Sequence, residues 1–233
     1  MTKILRAFDH VIAPSGVLCM CCDELSYGEY LCANCRKSLR AMRLPAEEAG
    51  NGDVRSVYRY DGTAKELVIL LKGDLLSNAA HALAEGMADA LKEMAIPSDT
   101  LMTWVTMPEI RRKERGIDHG RELCEAVACR TGLTARQLLV RKGRIHTQRG
   151  LNQEKRLRNL QGTFLCEEKL NGPVLLIDDV LTTGATASAC AEALIAAGAT
   201  RVFVLTATKA ILKRESLFER LADQYGLHFA RMG

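Results

Sequence analysis

Two adjacent carboxylates in the segment VLLIDDVLTTGAT, residues 174–186, are the side chains of this sequence best placed to do chemistry. The four apolar residues before them predict a strand buried on both faces, and the Thr- and Gly-rich stretch after them predicts a loop that opens a helix. Such a helix start offers unpaired backbone amides to a phosphate, and threonine hydroxyls add donors. The candidate phosphate-binding residues are Thr182, Thr183, Gly184, Ala185 and Thr186.

The two acids restrict the kind of phosphate that this segment can bind. It contains neither the nucleoside-triphosphate P-loop nor the glycine pattern of dinucleotide folds. Carboxylates beside a phosphate repel it unless they face a metal, sugar hydroxyls or a developing cation, and a pyrophosphorylated ribose phosphate supplies all three. We therefore predict that Asp178 and Asp179 bind the ribose diol and stabilise charge at the anomeric carbon, with Mg²⁺ held mainly by the pyrophosphate.

Four cysteines near the N-terminus predict a metal site. They follow the pattern C-x2-C-x9-C-x2-C, which suits tetrahedral zinc, and a segment this short would hardly form a core without metal. The predicted ligands are Cys19, Cys22, Cys32 and Cys35. Cys21 can replace Cys19 or Cys22, although only the latter two repeat the spacing of the second pair. The alternative is a set of buried or redox cysteines.

Basic residues follow the predicted strand Leu101–Met107 in the segment PEIRRKERGID, residues 108–118. Open α/β folds place ligands at the carboxyl ends of their strands, so these side chains are candidates for facing pyrophosphate. They are Arg111, Arg112, Lys113 and Arg115, with Lys72 as a further candidate for the same pocket. The alternative for each one is a solvated surface charge.

A second basic stretch spans residues 130–158, which contain nine Lys or Arg against one acid. Its local charge of +8 is twice the net +4 of the chain, and this predicts salt-dependent nucleic-acid affinity. The candidate pyrophosphate or DNA ligands in it are Arg141, Arg144, Gln148, Arg149, Arg156 and Arg158. Because the stretch has no Phe, Tyr or Trp, base stacking would fall to arginines or to Tyr27, Tyr30, Tyr58 and Tyr60.

Taken together, these segments resemble the ComF family, which includes GntX, over nearly the whole chain. The carboxylate segment also matches the type I phosphoribosyltransferase signature. The other matching residues are Arg115 and Gly116, then Gln148 and Leu151, then Arg156, Asn159 and Phe164. The resemblance implies a phosphoribosyltransferase-like domain behind a small zinc ribbon, and a role with incoming single-stranded DNA in natural transformation or in gluconate use. It also implies competence-machinery partners such as a helicase.

The sequence departs from the family pattern in two places. The family usually continues Arg-Gly with Phe-Asn-Gln, whereas this chain has Ile117, Asp118 and His119, and it has Ile145 where Thr is common. The contacts of the family's Asn-Gln pair therefore do not transfer. We interpret His119 and His146 as polar surface groups rather than acid–base catalysts.

Strands and helices alternate from residue 54 onward, which predicts an α/β fold with a mostly parallel, doubly wound sheet of the phosphoribosyltransferase type. The predicted strands are Val54–Tyr60, Leu101–Met107, Gln137–Val140, Val174–Ile177 and Arg201–Thr206. The predicted helices are Asp61–Gly73, Ser77–Met94, Ile117–Thr131 and Ala185–Ala197. We assign residues 1–43 to a zinc ribbon, 44–53 to a loop linker and 54–233 to the phosphoribosyltransferase-like domain.

Composition excludes two broad classes of protein. Hydrophobic residues make up 48% and charged residues 26%, as in ordinary globular proteins, so the chain is not predominantly disordered. Its apolar runs are too short for a transmembrane helix of about 20 residues. Asp9 and His10 interrupt the stretch where a secretory signal would be apolar, and we predict a cytoplasmic protein.

Three functions fit these residues. The family resemblance favours a single-stranded DNA-binding protein that retains a phosphoribosyl pyrophosphate pocket. The residues alone favour an active phosphoribosyltransferase that displaces pyrophosphate, although no nucleobase pocket or general base for an acceptor is evident. A regulator that senses phosphoribosyl pyrophosphate would use the same pocket.

Overall fold

The computed structural model describes residues 18–50, 52–73, 76–108, 118–141 and 162–210 of the 233-residue chain. The helices are α1 (Ala33–Ala41), α2 (Ala46–Ala49), α3 (Gly62–Leu71), α4 (Leu76–Met94), α5 (His119–Thr131) and α6 (Ala185–Ala196). The strands are β1 (Val54–Arg59), β2 (Leu101–Trp104), β3 (Val140–Arg141), β4 (Phe164–Leu165), β5 (Pro173–Leu181) and β6 (Arg201–Lys209).

Four strands form a parallel sheet in the order β1-β6-β5-β2. Its centre is the β5–β6 pair, which stays in register from Pro173 opposite Arg201 to Leu181 opposite Lys209. Since all four strands are parallel, their carboxyl ends lie at one edge of the sheet. That edge is where open α/β folds bind ligands.

Both faces of the sheet are covered, because successive side chains of a strand point to opposite faces. Leu175 and Ile177 of β5 pack in a core with residues of α3, α4 and α5. Val174 and Leu176 pack in a second core with residues of α6. The predicted parallel, doubly wound α/β fold is confirmed.

The central strand is longer than the sequence predicts. We expected β5 to end at Ile177, before the first charged residue, but it continues through Asp178 and Asp179 to Leu181. The reason is its neighbour β6, which extends to Lys209 and offers the buried, β-branched Thr206 and Thr208 as pairing partners. The two carboxylates therefore lie within a strand and not in the loop after it.

Other boundaries also shift. β2 ends at Trp104, before the predicted Met107. The predicted strand Gln137–Val140 is replaced by the two-residue strand β3, which pairs antiparallel with β4. Among the described helices, none is both long and apolar enough to cross a bilayer.

Residues 18–43, called the metal module below, are tied to the edge of the sheet. The predicted loop linker contains the short helix α2, and the chain just before this helix pairs with β1 through the bridge between Arg43 and Tyr58. The Leu44 amide donates to the Val57 carbonyl at 2.9 Å, and the Arg59 amide donates to the Met42 carbonyl at 2.8 Å. The metal module and the sheet are therefore joined by backbone hydrogen bonds.

Candidate functional site

Asp179 lies at the centre of the candidate site. Its side chain is 8% exposed, and its Oδ2 lies 2.7 Å from Lys72 Nζ and 3.6 Å from His119 Nε2. Lys72 caps the carboxyl end of α3, and His119 is the first residue of α5. The structure thus brings Lys72, a predicted pocket residue, next to the Asp179 carboxylate.

His119 is not the surface group that we expected. Its side chain is 19% exposed and faces the Asp179 carboxylate. The residue before it explains this placement, since Asp118 is the N-cap of α5 and its Oδ1 accepts the Gly120 amide at 3.1 Å. The other carboxylate oxygen accepts Trp104 Nε1–H at 3.2 Å, which fixes the start of α5 to the carboxyl end of β2. Asp118 and His119, which replace the family's Asn-Gln pair, therefore form part of the site.

Asp178 is held in a setting that disfavours its charge. Burial and the neighbouring Asp179 carboxyl raise the pKa of Asp178 well above its usual value. Opposing this, Asp178 Oδ1 accepts the Asp179 amide at 2.9 Å. A carboxyl that is costly to ionise when the pocket is empty gains charge stabilisation from a cationic partner, such as a metal or an oxocarbenium-like sugar.

A chain of buried hydroxyls supports the carboxylates from beneath. Ser56 Oγ and Thr206 Oγ1 lie 2.7 Å apart, and Thr206 Oγ1 donates to the Thr208 carbonyl at 3.2 Å. Thr208 Oγ1 in turn donates to the Asp179 carbonyl at 2.9 Å. This network links β1, β6 and β5 and fixes the backbone that carries the acids.

The predicted phosphate loop connects the end of β5 at Leu181 to the start of α6 at Ala185. Gly184 has φ +78°, a left-handed conformation that glycine adopts without strain, and it begins the helix without a side-chain cap. The Thr183 hydroxyl accepts the Ala185 amide at 3.4 Å, and Thr182 is exposed. Thr186 lies in the first turn of α6. The arrangement is a helix N-terminus, which is suited to phosphate binding, next to the two carboxylates.

We expect Asp178→Asn to stabilise the protein near neutral pH. The pKa of Asp178 is higher in the folded state than in the unfolded state. Its carboxyl therefore contributes its full stabilisation only below the unfolded-state pKa, and this contribution is lost as the pH rises through the folded-state pKa. An amide avoids that loss, so the variant gains about 1 kcal/mol in urea unfolding near pH 8. The gain vanishes below about pH 3, where the carboxyl is protonated in both the folded and the unfolded state. Lower stability at both pH values contradicts the assigned environment.

The four predicted zinc ligands converge on one point. The Sγ atoms of Cys19, Cys22, Cys32 and Cys35 all lie within 4.8 Å of one another, with Cys22 3.6 Å from Cys32 and 3.5 Å from Cys35. These separations exceed a disulfide bond of about 2.05 Å and approach the ~3.8 Å that tetrahedral Zn–S bonds of about 2.3 Å impose. The donor set therefore fits a structural zinc ion, and Cys21 is outside the cluster.

Local structure prepares Cys19 and Cys32 for metal, whereas burial raises the pKa of Cys35. Cys32 caps the N-terminus of α1, where its Sγ accepts the Cys35 amide at 3.5 Å. Burial opposes ionisation of Cys19, but hydrogen bonds from the backbone of Cys32, Cys21 and Cys22 outweigh it and lower the pKa of Cys19 to about 7. A thiolate is the form that binds zinc.

Most of the other predicted basic ligands lie outside the described residues. These are Arg111, Arg112, Lys113, Arg115, Arg144, Gln148, Arg149, Arg156 and Arg158, together with the family positions Gly116, Leu151 and Asn159. Arg141 is described, and its guanidinium lies 5.3 Å from the centre of the Phe164 ring across the β3–β4 pair. This cation–π contact places Arg141, the first predicted ligand of the basic stretch, beside a family position, Phe164.

Comparison with known proteins identifies a relative. The chain is 28% identical over 200 residues to the DNA utilization protein YhgH of Salmonella typhi, and the match covers 81% of this chain and 88% of the relative. The predicted resemblance to the ComF family is confirmed. No protein-family model matches the chain.

Solved structures similar to this chain include phosphoribosyltransferases. Glutamine phosphoribosylpyrophosphate amidotransferase of B. subtilis has a TM-score of 0.39 at 18% identity, covering 64% of this chain but only 34% of the enzyme. Adenine phosphoribosyltransferase of Leishmania tarentolae has a TM-score of 0.39 at 15% identity, covering 76% of this chain and 86% of the enzyme. Such scores carry no functional argument. The assignment of the fold rests on the order of the parallel strands and on the carboxylates near the carboxyl end of β5.

Proposed function

We propose that this protein binds single-stranded DNA and supports DNA uptake in natural transformation, acting in the cytoplasm and retaining a pocket for phosphoribosyl pyrophosphate with its Mg²⁺. The observation that carries the DNA assignment is the match to a DNA utilization protein over most of both chains. The +8 stretch of residues 130–158 adds the electrostatic attraction that dominates nonspecific DNA binding. Helicase-type competence proteins are the proposed partners.

The pocket assignment rests on the site geometry. A helix N-terminus with a left-handed Gly184 suits a 5-phosphate, and the adjoining Asp178 and Asp179 suit a ribose diol. Lys72 and His119 lie beside the same carboxylate, so an ammonium and an imidazole are available to the pyrophosphate once a diol displaces them from Asp179. We propose that these residues hold the ligand together.

The test titrates the two ligands separately against wild type and the variant Asp178→Ala/Asp179→Ala. Phosphoribosyl pyrophosphate with Mg²⁺ is followed by calorimetry, and a labelled single-stranded oligonucleotide is followed by anisotropy at several salt concentrations. We expect the variant to lose sugar-phosphate binding by at least about 100-fold and to keep salt-sensitive DNA binding. Wild type without salt-dependent DNA affinity overturns the DNA assignment, and unchanged sugar-phosphate affinity in the variant overturns the pocket assignment.

Catalytic transfer from phosphoribosyl pyrophosphate is the second candidate function. The observation that favours it is the convergence of Lys72 and His119 on the buried Asp179, which supplies charged and protonatable groups beside the proposed ribose site. Release of pyrophosphate in the presence of candidate acceptors, absent from Asp178→Ala/Asp179→Ala, distinguishes turnover from binding.

A further inference from the structure

A groove on the metal module, away from the carboxylate site, combines apolar and basic side chains. Its apolar wall is formed by Leu25, Tyr27 and Leu31, and its basic wall by Arg36, Lys37 and Arg40 of α1. Arg36 and Arg40 lie one turn apart on the helix and therefore share a face. We call it the metal-module groove.

Tyr27 is the exposed aromatic of this groove. Its side chain is 86% exposed although its backbone has φ +53°, a left-handed conformation that a bulky residue rarely adopts. Gly28 follows with φ +93°, and the Glu29 amide donates to the Ser26 carbonyl at 3.1 Å, so the four residues form a tight turn with positive φ at both centres. Such turns favour Asn, Asp or Gly at the first centre. Tyr27 thus strains the backbone without packing in a core.

The other tyrosines considered for stacking are less available. Tyr58 is 5% exposed and packs in the core. The Tyr30 ring is stacked on His81, with centroids 5.7 Å apart and planes 8° apart. Tyr60 is partly buried against the same core. Tyr27 is therefore the tyrosine with the freest ring face among these four.

Charge in the groove favours an anionic partner. Among the residues that the structure describes, no acidic side chain lines it. Arg36 is partly neutralised by Glu29, whose Oε2 lies 3.1 Å from its Nη2. Lys37 and Arg40 are exposed, and neither forms an ion pair with an acidic side chain of the described residues. A flat exposed ring beside two free cations matches a base and its flanking phosphates.

We propose that the metal-module groove is a single-stranded DNA-binding site, in which a base stacks on Tyr27 while Lys37 and Arg40 contact the adjoining phosphates. The proposal rests on the proposed DNA-binding function and assigns it a surface. It also gives the metal a role in binding, because the groove wall includes the metal-binding residue Cys32 and the helix that Cys32 caps.

The test uses Tyr27→Asn in the full, zinc-loaded chain. Asparagine suits the left-handed turn, so the variant is expected to have an unchanged or higher Tm, while the affinity for fluorescein-labelled oligothymidylate falls about 10-fold. Tyr27→Phe keeps a ring and is expected to retain the affinity. Lys37→Glu/Arg40→Glu is expected to weaken binding and reduce the salt slope by about 2. The charge-matched control Lys65→Glu/Lys92→Glu changes exposed residues of α3 and α4 and leaves binding near wild type.

The outcomes separate the groove from the function. If wild type binds oligothymidylate and both groove variants bind it equally well, the groove assignment is wrong and the proposed function stands. If wild type shows no salt-dependent binding, the proposed function fails and the groove assignment fails with it. If polyglutamate displaces oligothymidylate from wild type as effectively as unlabelled oligothymidylate does, the groove accepts acidic chains in general, and the assignment to DNA is overturned.

Discussion

Removal of zinc from the four-cysteine cluster is expected to unfold the metal module while the parallel sheet stays folded. Few large apolar side chains of residues 18–43 are buried, Leu31 and Leu39 among them, so we expect the module to depend on a bound metal. Structural zinc contributes apparent binding free energies of about 10–16 kcal/mol at neutral pH, far more than these side chains provide. The first core includes Cys19, Leu31, Cys32 and Leu39 of the module, but most of its residues belong to the sheet and to α3, α4 and α5. The second core is formed by residues between Leu138 and Val204, so we expect the sheet to stay folded without the module.

Hydrogen exchange measured by mass spectrometry checks this expectation. After chelation, amides of α1 are expected to lose protection, whereas amides of β5 and β6 keep it. Cys22→Ser and Cys35→Ser are expected to reproduce the loss and to lower the zinc content of the purified protein. The matched control is Cys129→Ser, which changes an exposed cysteine of α5 outside the cluster. Full protection of α1 in zinc-free protein would show that the four thiols play no structural role.

The sequence predicted best those features that repeat along the chain. Apolar runs of β5 and β6 and the amphipathic period of α4 identify elements because a buried face imposes a period on the residue types. Cysteine spacing identified the metal cluster for a similar reason, since two ligands from one tight turn need two intervening residues. Each of these signals lies within one short segment, so a single sequence is enough to detect it.

What the sequence missed depends on contacts between distant segments. The end of β5 could not be predicted because charged residues normally end a buried strand, and only the pairing with Thr206 and Thr208 explains its extension. His119 carried no signal because a lone histidine has no period, and its partner Asp179 belongs to another strand. Its position directly after the N-cap Asp118, near the end of β2, was the one available clue.

Loss of the Lys72 ammonium is expected to destabilise the fold through the carboxylate that it neutralises. Asp179 is buried, and its Oδ2 lies 2.7 Å from Lys72 Nζ. Removing one partner of a buried ion pair costs about 3–5 kcal/mol because the other charge stays buried without compensation. Lys72 is 36% exposed, so solvent screens the pair and we expect Lys72→Met to cost about 2 kcal/mol in urea unfolding.

The double variant Lys72→Met/Asp179→Asn tests the cause. Once the carboxylate is an amide, no charge remains to be neutralised, so most of the lost stability is expected to return and the two substitutions are strongly non-additive. Lys65→Met is the matched control, because it removes an ammonium group from an exposed position on α3, the helix that Lys72 caps. It is expected to change the free energy of unfolding by less than about 0.5 kcal/mol. Two results would contradict this account: equal effects of Lys72→Met and Lys65→Met, or additive effects in the double variant. Either result would mean that Lys72 does not stabilise the Asp179 carboxylate. A ligand could then bind this carboxylate without displacing a cation.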